Sequence, residues 1–253
     1  MTTETASKPR PVVNVTLPKN KTIDIIIPFH GCHENVSALI ENVFRFASNN
    51  FDKIILIDDF SSNDQFVNIY KENTRFVISR NDRHLGFGAS VNRGISLSDK
   101  QVVAVLHSDV LFTDKNSLIN LYNDLIQMRN ESVAMITAVS NNPMIHENIL
   151  KKNKVIDMPP EIVKENFIPM YCCMLDVAAW RIVNGVPEFP VAWFEDEAFC
   201  HKLLKLGYKI AASNKSYVFH TGAQTIKQIL NKDRKYISIM KNNVLLLNKI
   251  RSK

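Results

Sequence analysis

The chain of 253 residues lacks several features that would assign it quickly to a class. No apolar run approaches the ~20 residues needed to span a bilayer. The opening stretch MTTETASKPRPVVNV has no signal-type hydrophobic core, so the expected compartment is cytoplasmic. The four cysteines, Cys32, Cys172, Cys173 and Cys200, form no CxxC pair, which speaks against both a zinc site and a disulfide framework. Internal repeats and low-complexity tracts are also missing. Acids are scarce in one region: residues 226–253 hold eight Lys/Arg against one Asp. The net charge of +6 therefore belongs to the tail, and the remainder is close to neutral. That distribution argues against a nucleic-acid-binding core and for a local patch that meets phosphates or an anionic surface.

What is present is an alternation of short apolar strands with helical periodicities. Residues 1–22, rich in Thr, Lys and Pro, read as a flexible arm. TIDIIIPFHG is a buried strand running into a loop, and Val36, Leu39, Ile40, Val43 and Phe44 follow at helical spacing. KIILID, RFVIS, QVVAVL and VAMITAV are further strands, with a short helix near 64–73 and a longer one marked by Leu118, Leu121, Tyr122, Leu125 and Ile126. The expected fold is α/β, with a mainly parallel sheet covered on both faces. Residues 84–94, HLGFGASVNRG, read as a polar loop. They miss the G-x-G-x-x-G pattern because Val91 fills the third slot, so close backbone approach or tight packing is the expected use. Residues 141–167 read as a long irregular insertion. From Ile226, the residues Ile226, Ile229, Leu230, Ile237, Met240, Val244 and Leu247 form an apolar stripe among lysines, an amphipathic helix or helix pair.

Two strands end in acids about fifty residues apart: KIILIDDFSSND at Asp58-Asp59 and VVAVLHSDV at His107-Ser108-Asp109. Open α/β sheets bind ligands at that edge. Asp58 suits a base N–H or a ribose hydroxyl, and equally a turn that caps the next helix. Asp109 suits a hard cation shared with a diphosphate, and equally a helix cap. Glu195, Asp196 and Glu197 open an amphipathic helix, where the helix dipole alone favours acids. Trp193 and Phe194 offer a stacking surface for a sugar or belong to the core. His220 follows a strand and matters only where the fold brings it to a metal.

In this order the motifs resemble the family 2 nucleotide-sugar glycosyltransferases of GT-A fold. IIIPFHG resembles the first strand and nucleotide loop, LIDDFSSND the DDxSxD strand end, and HLGFGASVNRG the NxGxxxxxNxG loop. LHSDV stands in the place of the DxD motif, and FEDEAFCHKLLKLGY is similar to EDxxxxxRxxxxGY. His107 replaces the first acid of DxD, His84 the Asn of the glycine loop, and His201-Lys202 the Arg after ED. The resemblance spans roughly residues 23–225. It implies a nucleotide-binding half (23–140), an acceptor-binding half (141–225) and a separate basic helical segment (226–253).

It also implies residue roles. Pro28, Phe29, His30, Asp58, Gly86, Asn92, His107 and Ser108 would contact the nucleotide sugar. Asp109 and His220 would hold Mn²⁺ or Mg²⁺. Asp196, with Glu195 beside it, would act as general base in an inverting transfer, and Trp193 and Phe194 would meet the acceptor. The implied partners are a UDP-sugar or similar donor and a glycan, lipid-linked or protein acceptor, with no nucleic acid. A homodimer and a peripheral membrane contact through 226–253 stay open. Two other readings stay open as well. A sugar-nucleotide nucleotidyltransferase would need Arg or Lys in the first loop, where PFHGCHEN has none, and a degenerate binding module would tolerate His107.

Overall fold

The run IDIIIPF is apolar at nearly every position, so only a strand covered on both faces can accommodate it. It forms β1 (Ile23–Phe29), buried throughout. The computed structural model describes residues 23–142, 154–164, 166–191, 193–222 and 235–252. The other strands are β2 (Phe51–Asp58), β3 (Phe76–Arg80), β4 (Val102–Leu106), β5 (Val110–Phe112), β6 (Val133–Ser140), β7 (Glu161–Ile162), β8 (Cys172–Asp176) and β9 (Lys209–His220). They form one sheet in the order β3-β2-β1-β4-β8-β6-β9-β5, with β7 also on β9. Pairing directions make β3, β2, β1, β4, β6 and β9 run the same way, while β8 runs against both of its neighbours. The carboxyl ends of six strands therefore share one edge.

Alternation along β1 separates two cores. Ile25 and Ile27 face helices α1 (His33–Ala47) and α3 (Ser117–Met128). Ile26 faces α2 (Phe87–Ser96), α4 (Val177–Ile182) and α5 (Glu195–Lys205). A last helix, α6 (Lys235–Arg251), packs Leu247 and Ile250 against Phe189, Phe194 and Ala198. The short helix expected near 64–73 is a 3₁₀ turn, Phe66–Tyr70.

Three expectations need correction. Residues 84–94 are not a loop throughout, since α2 begins at Phe87. Its glycines serve packing: a Cβ on Gly94 would stand 2.4 Å from Ile26 Cγ2, and one on Gly88 would stand 2.4 Å from the Pro187 carbonyl oxygen. The region after residue 140 is more regular than its sequence suggests. It contains β7 and leads into β8, whose Asp176 caps α4 by accepting from Ala178 N and Ala179 N. The apolar stripe of the tail is only partly a packing face: Leu247 is buried, but Met240 and Val244 are exposed. Ile226, Ile229, Leu230 and residues 143–153 lie outside the described residues. Among the described residues no helix is long and apolar enough to cross a membrane.

Candidate active site at the carboxyl edge of the sheet

At the end of β2 the two acids are already engaged. Asp58 Oδ1 accepts from Ser61 N (2.8 Å), and Asp58 Oδ2 accepts from the Arg80 guanidinium, whose Nη2 also donates to Ser61 O (2.8 Å). Asp59 anchors the entry to α2. It accepts from Asn81 Nδ2 (2.7 Å), Leu85 N (2.9 Å) and Gly86 N (2.8 Å), with His84 Nε2 at 3.3 Å. His84 stacks on His30 with centroids 4.0 Å apart and planes 4° apart. Burial, then the neighbouring His30, pushes the His84 imidazole below its ordinary range against the pull of Asp59. His30, just past the end of β1, reaches this edge, whereas Pro28 and Phe29 within β1 are buried. The Phe29 ring packs edge-on against His33 and Phe66.

Two strands away, β4 ends at His107-Ser108-Asp109. Asp109 is followed by β5 and not by a helix, which removes the helix-cap reading. Because β5 pairs antiparallel with the end of β9, Val110 lies opposite His220. His107, Asp109 and His220 thus converge, each offering one ligand atom, all within 4.8 Å of one another. His220 is fully buried. Its ring stacks on Tyr171 (4.8 Å) and meets His107 edge-on (5.9 Å). Its Nδ1 stands 2.8 Å from the Asn142 carbonyl oxygen, and Asn141 brackets its backbone. A carbonyl only accepts, so Nδ1 carries a proton and Nε2 is the ring atom turned toward the cluster. That Nε2 is buried without a hydrogen bond, 3.3 Å from Asp109 Oδ1. A buried ring nitrogen left unsatisfied beside a carboxylate oxygen, with a second imidazole converging on them, is a donor set that fits a divalent metal. Burial pushes the His107 imidazole down to about 4, which keeps it neutral and able to ligate. Burial raises Asp109, but contact with His220 and proximity of His107 outweigh it and hold the carboxyl below its ordinary range.

The third element is the start of α5. The approach to it is strained: Val191, Trp193 and Phe194 all have left-handed φ (71°, 79° and 76°), a conformation that costs side-chain-bearing residues ~1–3 kcal/mol and clusters at functional sites. Phe194 packs with Phe189, Ala198 and Leu247, while Trp193 stays part-exposed. Glu195 is buried with Oε1 lacking a hydrogen bond, and burial raises it to about 8. Burial raises Asp196 to about 6, tempered by hydrogen bonds from its own and the Met170 backbone.

Two dipeptides tie this acid pair to the imidazole cluster. The Met170 backbone lies near enough to Asp196 to lower its carboxyl, and the next residue, Tyr171, accepts from His107 N (2.8 Å). Phe87 packs edge-on against His107 (4.9 Å), and a Cβ on the next residue, Gly88, would lie 3.3 Å from Glu195 Cγ.

Other sequence-derived candidates are occupied by the protein itself. The Asn92 amide accepts from Trp180 Nε1 (2.9 Å) and Val186 N (2.8 Å) and donates to Val186 O (2.8 Å), so it clamps the segment after α4. Gly86 (φ 97°) closes onto the carbonyls of Phe189 and Val191. Ser108 is buried at the rim of the cluster. Arg80, Asn141, Asn142 and Tyr171 were not anticipated. They sit beside β-strand ends, but nothing in their local pattern marks them.

Residues 24–173 match Glycosyl transferase family 2. No curated protein sequence matches the chain. Among solved structures, the chain superposes on GalNAc-T7 with UDP, GalNAc and Mn²⁺ at TM-score 0.62 and 16% identity, covering 80% of this chain and 44% of that one. It superposes on the mannosyltransferase PcManGT from Pyrobaculum calidifontis, in complex with GDP-Man and Mn²⁺, at 0.61 and 12%, covering 78% and 56%. It superposes on S. aureus TarS 1–349 at 0.57 and 15%, covering 82% and 63%. The chain spans about half the length of the structures it matches. The matched family covers more than half of the chain, and the α/β sheet with its motifs at the carboxyl edge is the GT-A fold, so this chain belongs to glycosyl transferase family 2.

Proposed function

We propose that the chain transfers a sugar from a nucleoside-diphosphate donor, a UDP-sugar in the first instance, to an acceptor hydroxyl with inversion. The observation that carries this reading is the coupling of the Glu195–Asp196 pair to the His107–Asp109–His220 cluster through Met170–Tyr171 and Phe87–Gly88. The reading is supported by the donors found in structures of the same fold, UDP-GlcNAc with TarS and GDP-Man with PcManGT.

Each residue has a defined task. At neutral pH Asp196, raised to about 6, is mostly ionised and takes the proton from the acceptor oxygen as that oxygen attacks the anomeric carbon. Glu195, raised to about 8, stays protonated, so the pair holds one base rather than two competing anions. The bond to the donor's diphosphate breaks as the new glycosidic bond forms on the opposite face. One carboxylate suffices because no covalent sugar–enzyme intermediate forms. His107, Asp109 and His220 would hold a divalent cation, which supplies charge neutralisation for the departing diphosphate. Two imidazoles and one carboxylate favour Mn²⁺ over Mg²⁺.

The test is a thermal-shift screen against UDP-, GDP-, dTDP- and CMP-sugars with Mn²⁺ and with EDTA, followed by turnover assays of Asp196→Asn. The expected result is a Mn²⁺-dependent rise with one nucleotide class. Asp196→Asn should keep that rise and lose about 10²–10⁴-fold in turnover. A fully active Asp196→Asn enzyme overturns the base assignment, and the absence of any donor-induced rise favours a non-catalytic binding module.

A further inference from the structure

Between Asp59 and Ser61 the backbone turns through a left-handed residue, and that residue is Phe60 (φ 63°). A bulky aromatic side chain in this conformation is an outlier, since glycine fills such positions at no steric cost. The ring gains nothing from the core: Phe60 is 48% exposed. Its one aromatic or cationic neighbour among the described residues is Arg80, whose guanidinium carbon lies 5.2 Å from the ring centroid. Arg80 is itself held by Asp58 and Ser61 O. The ring is thus backed on one side by a fixed planar cation at the carboxyl end of β2.

The surrounding groups have little left to offer a planar ligand. Both Asp58 oxygens and both Asp59 oxygens accept from the protein. One face of the His30 ring is covered by His84. Only β1 separates β2 from β4, so the carboxyl ends of those two strands lie about 10 Å apart, two strand spacings. That span suits a nucleotide whose diphosphate reaches β4 while its base lies at β2.

We propose that Phe60, backed by Arg80, is the platform on which the base of the donor nucleoside diphosphate stacks, and that its strained backbone is retained for this contact. The inference rests on the donor reading above and adds to it a residue that recognises the base rather than the phosphates. Stacking accepts any base, so Phe60 sets affinity for nucleotides over inorganic diphosphate, and discrimination among bases falls to edge contacts.

The experiment titrates the full chain calorimetrically, with Mn²⁺, against UDP, GDP, dTDP, CDP and inorganic pyrophosphate. It compares wild type, Phe60→Gly and Phe60→Trp, and melting temperatures are recorded for all three. Phe60→Gly should weaken the nucleotide that wild type binds by about 5- to 150-fold, the range typical of one lost base stack. Pyrophosphate affinity should stay within about twofold, because that ligand carries no base. Melting should stay level or rise, because glycine relieves the strain. Phe60→Trp should restore nucleotide affinity. Unchanged nucleotide affinity in Phe60→Gly overturns the proposal while leaving the donor reading intact. An equal loss for pyrophosphate, or a melting temperature lowered by several degrees, makes Phe60 structural and also overturns it. A wild-type chain that binds none of the nucleotides defeats the donor reading, and the platform falls with it.

Discussion

Glu195 and Asp196 are chemically similar neighbours that the fold separates into different protonation states. Glu195 is sealed against α2 with an oxygen that finds no donor, whereas Asp196 receives backbone hydrogen bonds that lower the cost of its charge. This has a measurable consequence for stability. With its folded pKa raised to about 8 from the ordinary 4.5, Glu195 binds its proton more tightly in the folded chain than in the unfolded one. Its contribution to stability is therefore complete below about pH 4.5 and is lost as pH rises through 8. Asp196 acts in the same direction over a lower window, up to about 6. Glu195→Gln keeps the shape and removes the titration. Its melting temperature should fall less between pH 5 and 8 than that of wild type, as followed by scanning calorimetry across that range. Parallel curves for the two proteins would show that Glu195 is ionised in the folded state.

At the scale of elements, helix α2 shows what local sequence conceals. FGASVNRGIS contains two glycines, two serines and an asparagine, a composition that favours loops when taken alone. Tertiary packing overrides it, because those glycines let the helix lie directly on β1 and on the chain after α4. Gly94→Ala should therefore destabilise the fold despite a gain of ~1 kcal/mol in helix propensity. The new methyl would meet Ile26 Cγ2 at 2.4 Å, and Ile26, fully buried in the middle of the sheet, has nowhere to go. Overpacking of this kind costs ~1–3 kcal/mol, so a net loss of about 1 kcal/mol is expected as a lower urea midpoint with unchanged slope. The strands that end in acids were readable because fully buried parallel strands are uniform apolar runs, and ligand chemistry gathers at their carboxyl ends. Strand β8 was not, since CCMLD is too short to show a period and antiparallel insertion leaves no local mark. The same limit applies within the site. Asp109 and Asp196 stand out as candidates by type and place, whereas the places of His220, Asn92 and Asn142 depend on partners far away in the chain. His107 becomes a candidate ligand only once the β5–β9 pairing brings His220 beside Asp109.

For the whole molecule, the open matter is what the basic C-terminal segment contributes. Helix α6 is docked, not free. Leu247 is buried with Phe189 and Ala198, Asn243 donates to the Pro190 carbonyl (3.1 Å), and Arg251 pairs with Glu197. These contacts fall on the segment that carries left-handed Val191, Trp193 and Phe194, and on the first turn of α5 beside Asp196. The helix thus braces the strained approach to the proposed base, and Lys241 and Lys249 remain in solvent where such a brace leaves them. Leu247→Ala should cost about 2 kcal/mol, the low end for a buried leucine because the cluster is small, and should lower turnover more than donor affinity. Leu245, 60% exposed on the opposite side, gives the contrast: Leu245→Ser should change stability by no more than ~0.5 kcal/mol. Denaturant melts of both variants, run beside co-sedimentation with anionic vesicles, separate bracing from lipid attachment. Bracing predicts a stability loss confined to Leu247→Ala and no effect of Leu245→Ser on vesicle binding. A Leu245→Ser chain that is fully stable yet released from vesicles would assign the exposed side of α6 to a membrane surface, and a fully stable Leu247→Ala chain would remove the brace.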